Sequence, residues 1–287
     1  MKQIDLSIII ISYNCKFFLI NCLNSIKKWR SNYKIEIIII DNNSEDNTIK
    51  GIKKLKIKNL KIIENDHNYG FSKAVNKGIK NSLGKRILLL NPDVIIIEDA
   101  INKLIRFAIN KKKIGIFGGK LLEFNGAKVQ RSYYNKINFF TSLFEFTNLK
   151  KLFPNNIYHK RFFYIGLNEN KIRNVYGVTG GFMLINKKIF DKIGFFDENF
   201  FLYLEDIDFC YRAKAKKIEI LYYPKATIRH YGGASSKKGK YKINVNAWRE
   251  SRKYFFKKHF SKIKSSILLI IFFIEDRALD VKHFLFN

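Results

Sequence analysis

The chain reads as an α/β protein with a mostly parallel central sheet flanked by helices. Three observations predict that class. Continuous apolar, β-branched runs occur at LSIIIIS (6–12) and IEIIIID (35–41), with a third apolar run of similar length at KRILLLN (85–91), helix-like stretches lie at 15–29, 46–55 and 71–82, and 47% of the 287 residues are hydrophobic. Runs without alternation suit strands buried on both faces, and a chain this long can bury a sizeable core. The βαβαβ order then predicts helices on both sides of a parallel sheet.

In such sheets ligands sit beyond the carboxyl ends of the strands. Those ends carry Ser12-Tyr13-Asn14, Asp41-Asn42-Asn43-Ser44 and Asn91-Pro92-Asp93, so three polar clusters are expected on one edge. A further helix is expected over 98–111, followed by a less regular middle; 132–172 is aromatic and basic with no clean period. GGFMLINKKIF (180–190) reads as a strand running into a short helix, and a helix is expected from about Glu205. Beyond about 240, Trp248, Phe255, Phe256, Phe260, Ile263 and Ile267 fall near one helical face with Lys and Arg on the others. Such a helix either lies in a bilayer interface or docks on its parent domain.

Fifty-four Lys and Arg oppose 24 Asp and Glu, for a formal net charge of +30. That favours an anionic partner such as nucleic acid, a lipid surface or a phosphorylated substrate, although the excess is spread over every segment. No zinc-finger spacing, aromatic RNA-binding block or recognition helix supports nucleic acid. Cys15, Cys22 and Cys210 form no CxxC pair, which argues against a disulfide framework or zinc site. The start lacks a cleavage site, and ILLIIFFI (267–274) falls far short of the ~20 residues needed to span a bilayer, so a cytoplasmic protein is expected.

Each candidate site has a plain structural reading beside the chemical one. Asx residues at 41–44 favour turns. Asn91-Pro92-Asp93 also suits a turn, yet it sets a hard oxygen ligand at a strand end, where Mg²⁺ or Mn²⁺ could be held with phosphate oxygens. In HNYGFSKAVNKGI (67–79), Gly70 suits a tight turn before a helix that exposes Lys73 and Asn76, and both a helix start and a lysine favour phosphate. His230 ends a probable strand before two glycines. In FFLYLEDIDFCYRA (200–213), acids in a first helical turn suit the helix dipole, and Asp208 can pair with Arg212. Two adjacent acids, Glu205 and Asp206, are one more than capping needs, and one could serve as a general base.

Together, SIIIISYN, IIIIDNNSEDNT, NYGFSKAVNKGI, LLLNPDV, GGFMLINKKIFDKIGFFDENFFLYLEDIDFCYRA and IRHYGGAS resemble, in order and spacing, the inverting glycosyltransferases of family 2, most closely the rhamnosyltransferase-like branch. The resemblance covers about residues 5–235. It implies a glycosyltransferase-A fold over 1–238, with a Rossmann-like nucleotide-sugar half (1–97) and an acceptor-binding half (98–238), and leaves the basic amphipathic helical tail (239–287) unexplained. Ser12, Tyr13, Asn14 and Asp41 would then hold the base and ribose of a dTDP- or UDP-linked donor, with Asn43, Gly70, Lys73, Asn76 and Asn91 as neighbouring donor contacts. Asp93 matches the last acid of the family's Asp-any-Asp metal motif, and His230 a histidine that completes the Mg²⁺ or Mn²⁺ site in some members. Asn91 departs from that motif by removing one anionic ligand. Glu205-Asp206 matches the acidic catalytic pair, with Asp206 as base. The implied acceptor is a glycan or a lipid-diphosphate-linked saccharide, with peripheral contact to an anionic membrane at the inner face of the plasma membrane and no nucleic-acid partner. A nucleic-acid-binding protein and a non-catalytic partner of the same fold remain as alternatives.

Overall fold

A computed structural model of the chain describes residues 3–111, 114–126, 128–232 and 241–285. Strands β1 (Leu6–Ser12), β2 (Ile35–Asp41), β3 (Leu60–Glu64) and β4 (Arg86–Leu90) pair in parallel in the order β3-β2-β1-β4. They are linked by helices α1 (Lys16–Lys28), α2 (Thr48–Lys53) and α3 (Phe71–Lys80). β3 was not foreseen: LKIIE is short, and its half-exposed residues give no continuous apolar run.

The remaining sheet comes from β5 (Val94–Ile96), α4 (Ala100–Asn110), β6 (Gly115–Glu123) and β7 (Val129–Gln130), then from the later strands β9 (Arg173–Asn174), β11 (Phe182–Asn186) and β12 (Glu219–His230). β11 inserts antiparallel between β4 and β6, β12 pairs parallel to β6, and β5 returns antiparallel along β12. Two short strands, β8 (Tyr133–Tyr134) and β10 (Gly177–Val178), make a separate pair. Around them lie α5 (Phe139–Glu145), α6 (Leu149–Leu152), α7 (Ile157–Phe162), α8 (Ile189–Ile193) and α9 (Glu205–Ala215).

The unalternated strands follow from the two cores they separate. Ile8, Ile10, Ile37, Ile39, Leu88 and Leu90 face one cluster, while Ile9, Ile38, Ile40, Ile87 and Leu89 face the other. Each side chain turns to an apolar layer, so the period of two is present but hidden.

The tail corrects one expectation. It forms two helices, α10 (Tyr241–His259) and α11 (Lys262–Leu285), packed on each other and on the irregular middle. Phe255 and Phe256 are fully buried in a third core with Tyr134, Phe146, Phe162, Phe200, Leu204, Leu268 and Phe272. The stripe that might have met a bilayer is thus split: its α10 part is the docking face, while Ile263 and Ile267 on α11 are exposed.

Candidate active site

Strand register assembles the site. Ser12 lies opposite Asp41 in the β1–β2 ladder, and the chain leaving β4 turns at Asn91-Pro92-Asp93 into β5. Because β5 pairs with the end of β12, His230 faces Val94, and the Tyr231 N–H donates to the Asp93 carbonyl at 3.0 Å. The Asp93 carboxylate and the His230 ring, far apart in sequence, therefore meet: Oδ1 lies 3.1 Å from Nε2, with both side chains largely buried.

Gln130, which the sequence did not single out, orients that ring. Its amide nitrogen donates to the His230 carbonyl at 2.9 Å, which turns its Oε1 toward Nδ1 at 2.6 Å. Nδ1 then carries the hydrogen, and Nε2 is left to act as an electron-pair donor on the Asp93 side. Asn91 Nδ2 stands 3.2 Å from the same Nε2. Among the described residues no group of three or more His, Cys, Asp or Glu surrounds a point. One carboxylate and one oriented imidazole fit a divalent cation that takes its other ligands from phosphate and water.

The acids of α9 have three different environments. Glu205 is buried, and its Oε2 has no hydrogen-bond partner among the described residues. Burial first, and the neighbouring Asp206 second, push its carboxyl up. Burial pushes Asp206 up as well, but backbone N–H groups of Gly180 and Ile207 oppose this, at 3.0 Å to Oδ2 and 2.7 Å to Oδ1. Two adjacent carboxylates away from water do not both ionise readily, and the N–H donors of Gly180 and Ile207 favour the charge on Asp206. Asp208, fully buried on the other side, binds Arg212 at 2.8 Å, Lys258 at 2.7 Å and His259 at 2.8 Å. It is a clamp for α10, not a site residue.

Two consecutive glycines join the halves. Gly180 N–H binds Asp206, and the Gly181 carbonyl accepts from the Asn91 N–H at 3.1 Å. A methyl group on Gly181 would stand 3.0 Å from Asn91 Nδ2. Consecutive Cα atoms are about 3.8 Å apart, so the Gly180-Gly181 pair links the Asp206 carboxylate to Asn91, and through Asn91 to the His230 ring.

The other candidates lie at the strand tips and the loops that follow them. Asp41 is buried, accepting from Ser44 N–H at 2.8 Å and Ser44 Oγ at 2.6 Å, and a carboxylate so held keeps lone pairs for a further donor. Asn14 and Asn43 both take left-handed backbone, at φ 47° and 63°, and Asn14 Oδ1 accepts from the Glu45 N–H at 2.7 Å. Tyr13 is half-buried at the end of β1, and Asn43 is exposed. Gly70, at φ 80°, lies under the 201 loop: an added Cβ would be 2.4 Å from the Phe201 carbonyl oxygen.

Three candidates have other partners. The Ser12 hydroxyl is fully buried against Cys15 Sγ at 3.4 Å. Asn76 is a strut: its Nδ2 donates to the Phe196 carbonyl and Glu198, and its Oδ1 accepts from the Phe196 N–H, at 2.8, 2.9 and 3.0 Å. Lys73 is exposed with its ammonium 4.4 Å from the Tyr69 ring centroid, outside the Asp93 group.

With that geometry in place, comparison with known proteins becomes informative. The profile described as "Glycosyl transferase family 2" matches residues 7–194, well over half of the chain. The chain belongs to glycosyl transferase family 2. It is 28% identical over 221 residues to a low-salt glycan biosynthesis hexosyltransferase of Haloferax volcanii, covering 75% of this chain and 64% of that protein. It is 24% identical over 217 residues to the N-acetylglucosaminyl-diphospho-decaprenol L-rhamnosyltransferase of Mycobacterium tuberculosis, covering 70% of this chain and 68% of the relative. The chain thus spans a little under two thirds of the length of the Haloferax relative. The solved structure of GalNAc-T7 with UDP, GalNAc and Mn²⁺ superposes with a TM-score of 0.60 at 15% identity, over 90% of this chain and 57% of that one. This likeness places the family 2 chain in the glycosyltransferase-A fold.

Proposed function

We propose that this family 2 protein is an inverting glycosyltransferase, moving a sugar from a nucleoside-diphosphate donor to a hydroxyl of a glycan or lipid-linked saccharide in cell-surface polysaccharide synthesis. The observation that supports the reading is the Gly180-Gly181 bridge, whose two hydrogen bonds tie Asp206 to the Asn91 turn that precedes the Asp93–His230 pair. Residues 1–97 would bind the donor and 98–238 the acceptor. Asp41 would read the edge of a pyrimidine, favouring a dTDP- or UDP-linked sugar, and the rhamnosyltransferase relatives favour rhamnose.

Asp206 would take the proton of the acceptor hydroxyl while that oxygen attacks the anomeric carbon. The carbon–oxygen bond to phosphate breaks on the opposite face, and the nucleoside diphosphate leaves with the electron pair. Asp93 and His230 would hold a divalent cation, Mg²⁺ or Mn²⁺, which supplies Lewis-acid stabilisation of the leaving diphosphate. Glu205, kept protonated, adds no second negative charge beside the base. The experiment is a panel of nucleotide sugars with Mg²⁺ or Mn²⁺, with and without chelator and lipid-linked acceptors, read as nucleoside diphosphate release and as the anomeric configuration of the product. A retained configuration, or release that ignores the acceptor, would reject the mechanism.

Peripheral membrane contact at the inner face of the plasma membrane is supported by α11. It buries Leu268 and Phe272, yet Ile263, Ile267, Ile270 and Ile274 form a second, exposed apolar stripe with Lys262, Lys264 and Arg277 nearby. Among the described residues no helix is long and apolar enough to cross a membrane. Basic residues beside an apolar helical face suit an anionic interface. Replacing Ile270 and Ile274 by Ser should weaken sedimentation with phosphatidylglycerol vesicles and leave thermal stability within about 0.5 kcal/mol, as for other exposed positions. Unchanged sedimentation would remove α11 as the contact.

A further inference from the structure

A cavity of about 640 Å³ lies between the α10–α11 hairpin and the chain around Phe146–Lys150. Its volume is that of a small-molecule site, for which about 300–1,000 Å³ is usual. We propose that it binds a neutral saccharide portion of the acceptor, away from the hydroxyl that reacts. The proposal rests on the glycosyltransferase reading above.

Its chemistry selects that class. Trp248 forms a half-exposed platform, stacked on Phe146 at 5.7 Å and 6° between planes, with Tyr203 set edge-on at 6.0 Å and 78°. Aromatic faces pack on the apolar C–H face of a pyranose ring, while the Asn148, Asn244 and Asn246 amides on the wall can exchange hydrogen bonds with its hydroxyls.

The wall's charges balance, which argues against an anion despite the net charge of +30. Lys150, Arg249 and Arg252 stand against Glu275, Asp276 and Asp280. Arg252 binds Glu275 at 2.8 Å and Asp276 at 2.7 Å, and Arg249 binds Asp280 at 2.8 Å. A phosphate would have to break these pairs. A polyhydroxyl ligand need not, because planar, fixed ion pairs offer it donors and acceptors in known places. Arg252 is 3% exposed, and its Nε–H has no hydrogen-bond partner among the described residues, leaving one buried donor on the wall unsatisfied.

Tyr203 ties the cavity to the reacting centre. It lies two residues before Glu205, and Tyr203 and Leu204 take consecutive left-handed conformations at φ 73° and 67°. Strain of this kind is held only where the surroundings enforce it. The Ser251 hydroxyl of α10, donating to the Leu202 carbonyl at 2.8 Å, is one such restraint. The tail hairpin therefore both shapes the cavity and holds the turn that starts the catalytic helix.

The test uses the full chain on an array of neutral and acidic oligosaccharides, with inorganic pyrophosphate as competitor. The parent and Asp206→Asn should retain neutral glycans, with pyrophosphate having no effect on that retention. Trp248→Phe, which keeps the stacking on Phe146, and the exposed Asn246→Ala should each weaken retention about tenfold, a 1.4 kcal/mol difference. As the second tryptophan is Trp29, a Trp29→Phe protein lets saccharide binding be followed by Trp248 fluorescence alone. No retained glycan, equal retention by both variants, or a Trp248 signal that answers only to anionic vesicles would overturn the proposal. Titration of UDP and dTDP against parent and Asp41→Ala reports separately on the donor site, so failure of the transferase reading is distinguishable from failure of this one.

Discussion

The two sides of the first turn of α9 present carboxylates of opposite fate. On the cleft side, Glu205 and Asp206 are withdrawn from water with backbone N–H groups as their main company, and both are pushed up. On the tail side, Asp208 is buried as well, yet three donor side chains hold it below the usual carboxylate range: burial opposes ionisation, and His259, Arg212 and Lys258 together outweigh it. Burial alone does not mark a reactive acid. The supply of partners does: a buried acid with too few is poised to exchange a proton, and one with a full set is scaffold.

The largest test of this contrast is Asp206→Asn. If the cleft acid is the base, kcat should fall by about 10²–10⁴, the usual worth of a positioned general base. UDP or dTDP affinity, measured by calorimetry, should be unchanged. Turnover equal to the parent's would move the base elsewhere.

The opposite acid should fail in a different way. Asp208→Ala leaves Arg212, Lys258 and His259 facing one another beside a buried void, a loss of about 3–5 kcal/mol for a broken buried pair. Denaturant unfolding should show it, with α10 loosened. The pH dependence has a fixed sign. A depressed folded pKa means that the Asp208 contribution is present above the ordinary value of 3.8 and is lost as pH falls through the lower folded value. Parent and Asp208→Ala stabilities should therefore converge in acid.

The same contrast explains how much could be read before the structure. The parallel half was legible because Ile8 to Ile10, Ile37 to Ile40 and Leu88 to Leu90 are each buried on one of two faces, which writes a strand as an unbroken apolar run. β3, an edge strand with one neighbour, left no such run. Asp93, His230, Glu205 and Asp206 could be singled out because each ends a strand or starts a helix, where local sequence carries the signal. Gln130 could not, because its contact with His230 depends on β7 lying beside β6 and on a bond to a residue 100 positions away. The partners of Ser12 and Asn76 were hidden for the same reason as Gln130: only the fold brings Cys15 and Phe196 against their polar atoms. The 132–172 segment gave no period because its aromatic residues pack in an irregular core with those of the tail, not against a sheet.

Gly70 tests whether the acceptor-side loop is fixed by the donor side. At φ 80°, with Phe201 O only 2.4 Å from any added Cβ, Gly70→Ala must move the 201 loop and, through it, Tyr203 and the start of α9. A loss of about 1–3 kcal/mol is expected from the backbone strain alone. Activity should fall further than stability explains, seen as a reduced kcat in protein that is fully folded at the assay temperature. A kcat equal to the parent's would show that the loop and the base move independently.

The smallest effect separates the two acids of the cleft. Glu205 is raised above its ordinary 4.5 by burial and by Asp206, so between those values the native state holds a proton that the unfolded chain has released. The native state then binds more protons than the unfolded one, and stability falls as pH rises above 4.5 until the folded value is passed. Glu205→Gln removes this titration while keeping a neutral group of the same shape. It should flatten the decline and raise stability on the alkaline side, read by denaturant unfolding at a series of pH values. Asp206 remains to titrate beside a neutral amide, so the pH at which the base gains its charge should change little, because a protonated Glu205 was neutral already. A marked shift in the acidic limb of the pH–rate profile would instead mean that Glu205 is ionised in the working enzyme, and that the two carboxylates share the proton more evenly than their partners suggest.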